Sequence, residues 1–141
     1  MKRLLVGIDG SPEGDVAAVR AAALAKALGA RLTIAYVVPP RAPAFAEEYA
    51  AEVPRADVPE RDYVAALLFQ AELRCRNQGV AAETVSLTGP VAETLSDTAS
   101  SGDYDMVVVG HRGRGAVQRA LLGSVADRLT QICARPVLVI R

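Results

Sequence analysis

The sequence predicts a doubly wound α/β fold: a five-stranded parallel sheet, Rossmann-like, with helices on both faces, in a single domain over residues 1–141. Three observations carry this. Short apolar runs alternate with segments whose apolar residues recur at helical spacing. Most of the short runs are almost continuously apolar, as in strands covered on both faces. Glycine or proline punctuates the junctions. Strands and helices in strict alternation imply right-handed crossovers, a parallel sheet and helices layered on either side.

Leu4 to Ile8 is the first strand, and Asp9-Gly10-Ser11-Pro12 is the turn after it. Glu13 to Leu28 has helical spacing, with Val16, Val19, Ala23, Leu24 and Leu28 expected on the inner face and Gly29 as the stop. Arg31 to Val38 is β-branched and apolar, a second strand ended by Pro39 and Pro40.

Residues 39–59 carry five prolines and form the longest irregular segment, of a length usual for a functional loop or flap. A short helix over Phe45 to Ala51 fits inside it, and Glu47, Glu48 and Glu52 read as its solvated face. Glu60 to Asn77 returns to helical spacing through Val64, Leu67, Leu68, Ala71 and Leu73, with Gly79 as its cap.

Val80 to Leu87 alternates as a third strand, and Gly89-Pro90 opens a helix to about Ser100. Asp105 to Val109 is a fourth strand, Ser124 to Ile132 a fourth helix, and Pro136 to Ile140 a final strand.

Sixteen basic and sixteen acidic residues cancel, and aromatics make up 4% of the chain without a tryptophan. This balance argues against a broad basic nucleic-acid surface, a stacking platform for single strands or a polybasic membrane anchor. The apolar start is broken by Gly7 and Asp9, so it reads as a strand and not as a signal or membrane segment. A cytoplasmic protein is expected. Cys75 and Cys133 have no metal or redox spacing and read as small core residues.

In an open parallel sheet a ligand sits beyond the C-terminal strand ends, where strand order reverses. Two loops are equipped for it: Asp9-Gly10-Ser11 after the first strand, and the loop from Gly110 after the fourth. The second joins an apolar strand to a helix start. Free N–H groups and the positive end of the helix dipole favour an anion there, and glycines let the backbone approach it.

Other phosphate motifs fail. Gly110 to Gly115 has Walker glycine spacing, but Ala116-Val117 stand where Lys-[Ser/Thr] is needed. Gly113-Arg-Gly115 is followed by Ala-Val-Gln, so the dinucleotide fingerprint is broken. His111-Arg-Gly113-Arg114 lacks the second histidine of a nucleotidyltransferase HxGH.

The remaining pattern is Gly110-x2-Gly113-x9-Gly123-Ser124. It resembles the nucleotide-binding loop of the universal stress protein family, of the ATP-binding type. The likeness covers the whole chain, through Val-Gly-Ile-Asp9-Gly-Ser, Gly89-Pro90, Leu-Leu-Gly123-Ser-Val-Ala126 and Arg135-Pro-Val-Leu-Val-Ile140. Tyr36-Val37 departs from the family's His-Val pair.

The resemblance implies a site. Asp9 would contact the ribose or metal side of ATP-Mg2+, backbone at Val37 would read adenine, and Gly7 and Val109 would floor the pocket. Gly110 and Gly113 would pass beside ribose and phosphates. Amides of Gly123 to Val125, with the Ser124 hydroxyl, would hold the terminal phosphates.

The residues taken alone leave plainer roles open: Asp9 as turn residue or cap, the glycines as a tight turn, Ser124 as N-cap. His111 reads as an exposed loop residue and not a base. Arg112 and Arg114 are solvated charges or screens for phosphate.

The expected function is therefore a cytoplasmic ATP-binding stress-response protein with nucleotide as a regulatory ligand and hydrolysis slow or absent. No P-loop lysine, paired carboxylates or evident base marks the sequence as a fast hydrolase. The alternatives are a slow Mg-dependent ATP hydrolase or phosphotransferase, and an interaction module without nucleotide. The apolar last strand, Val137 to Ile140, suggests a homodimer through a sheet edge.

Overall fold

A computed structural model describes residues 1–40, 59–113 and 122–141. The helix expected over Phe45 to Ala51, with Glu47, Glu48 and Glu52, lies outside the described residues, as does Arg114. The elements run β1 (Arg3–Ile8), α1 (Pro12–Leu28), β2 (Arg31–Val38), α2 (Glu60–Asn77), β3 (Ala82–Thr88), α3 (Val91–Ser101), β4 (Met106–Gly110), α4 (Ser124–Ile132) and β5 (Val137–Ile140).

The five strands form one parallel sheet in the order β3-β2-β1-β4-β5. The doubly wound fold is thus present as predicted. The chain winds outward from β1 through β2 to β3, then returns to lay β4 on the other side of β1. Val6 faces Ile34 on one flank and Val108 on the other. The order reverses between β1 and β4, so the crevice of the sheet opens between their C-terminal ends.

Strand parity divides the core. Leu4, Val6, Ile8, Leu32, Ile34 and Val108 pack under α1 and α2. Leu5, Ala35, Val37, Val107 and Val109 pack under α3 and α4. In this second layer Tyr104 is buried, and its hydroxyl donates to Thr33 Oγ1 at 3.0 Å. Asp105 ties the start of β1 to the start of β4, accepting from the backbone N–H groups of Lys2 (2.7 Å) and Arg3 (2.9 Å). The Arg3 guanidinium lies over the Tyr104 ring, 4.3 Å from its centre.

The inner face of α1 differs from expectation. Val16 and Leu28 are exposed at 43% and 45%, and Ala23 is exposed too. Gly14, Ala17, Ala18, Ala21, Ala22 and Ala25 are buried instead. Small side chains let the helix axis approach the sheet closely, and packing contact outweighs the size of any one apolar group. In α2 the buried line is Val64, Leu68, Ala71 and Cys75, while Leu73 points outward at 42% exposure. Burial pushes the Cys75 thiol up from its ordinary range. Cys133, expected in the core, is half-buried, and both cysteines are free.

Several boundaries shift. β3 starts at Ala82 and not at Val80, and α2 is capped at Gln78, with Gly79 following at φ +80°. Ser124 does not cap α4: the N-cap is Gly123, and Ser124 is the first helical residue. Among the described residues no helix is long and apolar enough to cross a membrane.

Candidate functional site

A cleft of about 380 Å3 opens at the β1–β4 switch point, within the ~300–1,000 Å3 usual for small-molecule sites. Gly7, Asp9, Val37, Val109, Gly110, Gly113, Gly123, Ser124 and Val125 all line it. The fold therefore gathers every site residue expected from the sequence into one place.

The first wall is built at the start of α1. Ser11 is the N-cap, and its hydroxyl accepts from Gly14 N–H at 3.1 Å. The Asp9 carboxylate in turn accepts from Ser11 N–H at 2.9 Å and from the Ser11 hydroxyl at 2.5 Å. Asp9 thus faces the cleft while buttressing the cap, so the turn role and the site role coexist in one side chain.

Two glycines enclose that carboxylate. A Cβ on Gly14 would stand 2.8 Å from Asp9 Oδ1, and one on Gly113 would overlap Asp9 Oδ2. Gly113 is required by this close approach and not by its φ, which is not positive. Gly110 is pressed against the first turn of α1, where a Cβ would stand 2.9 Å from the Glu13 carbonyl oxygen.

The second wall is the start of α4. Gly123 N–H donates to the His111 carbonyl at 2.6 Å, which brings residue 123 back beside the end of β4. Gly123 is extended (φ −67°, ψ 157°) and supplies no side-chain cap. The first-turn amides of α4 therefore open toward the cleft with the positive end of the helix dipole. Asp127, also in that turn, lines the cleft and accepts from Gln131 Nε2 at 3.2 Å. Just outside, Glu93 takes a 3.0 Å hydrogen bond from Arg128, which holds its carboxyl below the usual range.

His111 is not the exposed loop residue expected. It is half-buried, with Nδ1 3.2 Å from the Ile140 carbonyl and Nε2 3.0 Å from Arg112 Nε. Arg112 lines the cleft.

The other end is apolar. Ala35, Val37, Val91, Leu95 and Val109 wall it, with Tyr36 and Pro39 alongside. Gly7 leaves room for Leu95, whose Cδ1 would stand 2.8 Å from a Cβ there. An apolar slot at one end and helix amides with a cation at the other suit a flat base joined to an anionic group.

Sequence reasoning missed Gly14, Tyr36, Leu95 and Asp127. Gly14 carried a signal: a glycine in the first turn of a helix weakens it unless something needs the space. Tyr36 carried one too, since it stands beside Val37 at the family's His-Val position; Leu95 and Asp127 had none, because only tertiary packing turns them toward the cleft.

A family model described as the universal stress protein family matches residues 1–141. A universal stress protein of Mycobacterium tuberculosis is 35% identical over 151 residues, covering 97% of this chain and 47% of the relative. The chain thus spans about half the length of that relative. A universal stress protein solved in complex with cAMP is 27% identical, with a TM-score of 0.72, covering 99% of this chain and 96% of that one. A universal stress protein from Archaeoglobus fulgidus, solved with dAMP, shares the fold at 19% identity and a TM-score of 0.71, covering 100% and 98%.

Proposed function

The chain belongs to the universal stress protein family, and from that premise we propose that its cleft binds an adenine nucleotide, ATP with Mg2+, as a regulatory ligand in a stress response. The observation that carries this reading is the contact of Gly113 with Asp9, beside the open start of α4. It brings a carboxylate, a glycine-lined path and free helix amides to one cleft, a combination suited to ribose and phosphate. The cAMP-bound relative supports an adenine nucleotide in particular.

In this reading Val37 backbone meets the base, and Gly7 and Val109 floor it. Gly110 and Gly113 flank ribose and phosphates, and the amides of Ser124 and Val125 hold the terminal phosphates, since the Gly123 N–H expected beside them is taken by the His111 carbonyl. The residues fit the metal: Mg2+ is held by oxygen donors, commonly one or two carboxylates together with substrate phosphates. Asp9 is the carboxylate for that role, through water. Mg2+ there neutralises phosphate charge. Asp9 and Asp127 on the cleft wall give the site little positive charge of its own, which makes a bound cation useful.

Binding with hydrolysis slow or absent makes the ligand a bias on conformation or assembly. The same reading places the protein in the cytoplasm, as a homodimer through β5, with neither nucleic acid nor membrane as partner.

Mass spectrometry of the denatured eluate, followed by thermal melts of nucleotide-free protein, tests the assignment. ATP is expected to co-purify. Mg-ATP at 100 times Kd should then add about 2.7 kcal/mol of stability. No shift at millimolar Mg-ATP would refute it. Phosphate release matching the rate of ATP binding would replace a regulatory ligand with a substrate.

A further inference from the structure

We propose that His111 is a positioning residue: its ring, neutral and protonated on Nδ1, orients the Arg112 guanidinium for the phosphate end of the ligand. The proposal rests on the nucleotide-binding reading and adds the side chain that makes phosphate recognition directional.

Arg112 is the one cationic side chain among the described cleft residues. A flexible arginine at a cleft rim contributes little, because ordering its side chain costs entropy on binding. Here the cost is met before the ligand arrives. Arg112 Nε donates to His111 Nε2 at 3.0 Å, which fixes the plane of the fork.

The histidine is itself anchored at three points. Its N–H donates to the Ile140 carbonyl at 2.8 Å, its own carbonyl accepts from Gly123 N–H at 2.6 Å, and ring Nδ1 lies 3.2 Å from the Ile140 oxygen. The partners dictate the tautomer. A carbonyl only accepts and a guanidinium only donates, so Nδ1 carries the hydrogen and Nε2 the lone pair. Any other form leaves two donors or two acceptors facing each other.

Two substitutions separate the ring's two functions. In His111→Gln the amide reaches the place of Nε2, keeping an acceptor for Arg112. In His111→Asn it reaches the place of Nδ1, keeping a partner for Ile140 but nothing for Arg112. The readout is the ratio of adenosine Kd to ATP Kd, by calorimetry, in wild type, both His111 variants, Arg112→Met and His111→Asn/Arg112→Met.

Arg112→Met should lower that ratio about tenfold, and His111→Asn should lower it comparably. His111→Gln should stay within about twofold of wild type, and the double variant should be no worse than Arg112→Met. His111 is the chain's single histidine, so its ring 15N signals are unambiguous. They should report the Nδ1–H tautomer at pH 8 in wild type.

A His111→Asn variant with an unchanged ratio, or an Arg112→Met variant with one, overturns the proposal. A wild-type ring in the Nε2–H form overturns it without any ligand. Wild type binding neither adenosine nor ATP, with the Nδ1–H tautomer intact, instead refutes the nucleotide reading, and the proposed role with it.

Discussion

Gly113 lies so close to Asp9 that a Cβ on the glycine would overlap the carboxylate oxygen Oδ2. The loop after β4 and the turn after β1 are therefore fitted to each other through one side chain. Asp9 has little freedom to retreat, since Ser11 holds its other oxygen through both N–H and hydroxyl.

Gly113→Val should therefore move the loop away from Asp9. We expect at least a tenfold loss of ATP affinity, about 1.4 kcal/mol, with helical circular dichroism retained. Calorimetry on the purified variant checks this. Wild-type affinity would show that the glycine contact is no part of the nucleotide site.

Ser11→Ala removes the cap of α1 and a donor to Asp9 together. The loss should be about 1 kcal/mol, a fall in Tm of roughly 4 °C for a domain of this size. Ser11→Thr should recover most of it, because the threonine hydroxyl can cap the same amide. Equal melting of Ser11→Ala and wild type would contradict the capping role.

Asp105→Asn should be destabilising at neutral pH and not in acid. Backbone N–H groups of Lys2 and Arg3 hold the Asp105 carboxyl below the usual carboxylate range. A carboxylate with a lowered folded-state pKa adds stability fully above its unfolded pKa, near 3.9. It loses that stability as pH falls through the folded value. The Tm gap between wild type and variant should thus be open at pH 7 and close below about pH 4. A gap that stays constant from pH 7 to pH 3 would show that the ionised form is not favoured by folding.

Val139→Pro tests the dimer. The carbonyls of Pro136 and Ile140 accept from Val107 and His111. Backbone polar groups alternate sides along a strand, so Val137 and Val139 turn theirs to the open edge. Proline at 139 removes an edge donor while sparing the β4 ladder. Light scattering should show wild-type dimer and variant monomer, or variant aggregate. A soluble variant dimer would move the interface elsewhere.

The amino-acid sequence by itself determined the order of strands and helices and the parallel doubly wound class, and it marked the Asp9 turn and the Gly110, Gly113, Gly123-Ser124 spacing as candidate site loops. Those are local matters: apolar periodicity, glycine and proline at junctions, and a loop spacing that any reader of the chain can measure. That the two loops share one crevice was decided by β4 lying beside β1 in the sheet. Only the tertiary structure decided which face of α1 is buried. Val16 and Leu28 are larger than the alanines, yet the alanine face packs inward because it lets helix and sheet approach closely. It also decided that Gly123, not Ser124, caps α4, that Gly14 makes room for Asp9, and that the His111 ring joins Ile140 to Arg112. Each of these depends on distances between segments far apart in sequence, which no local pattern encodes.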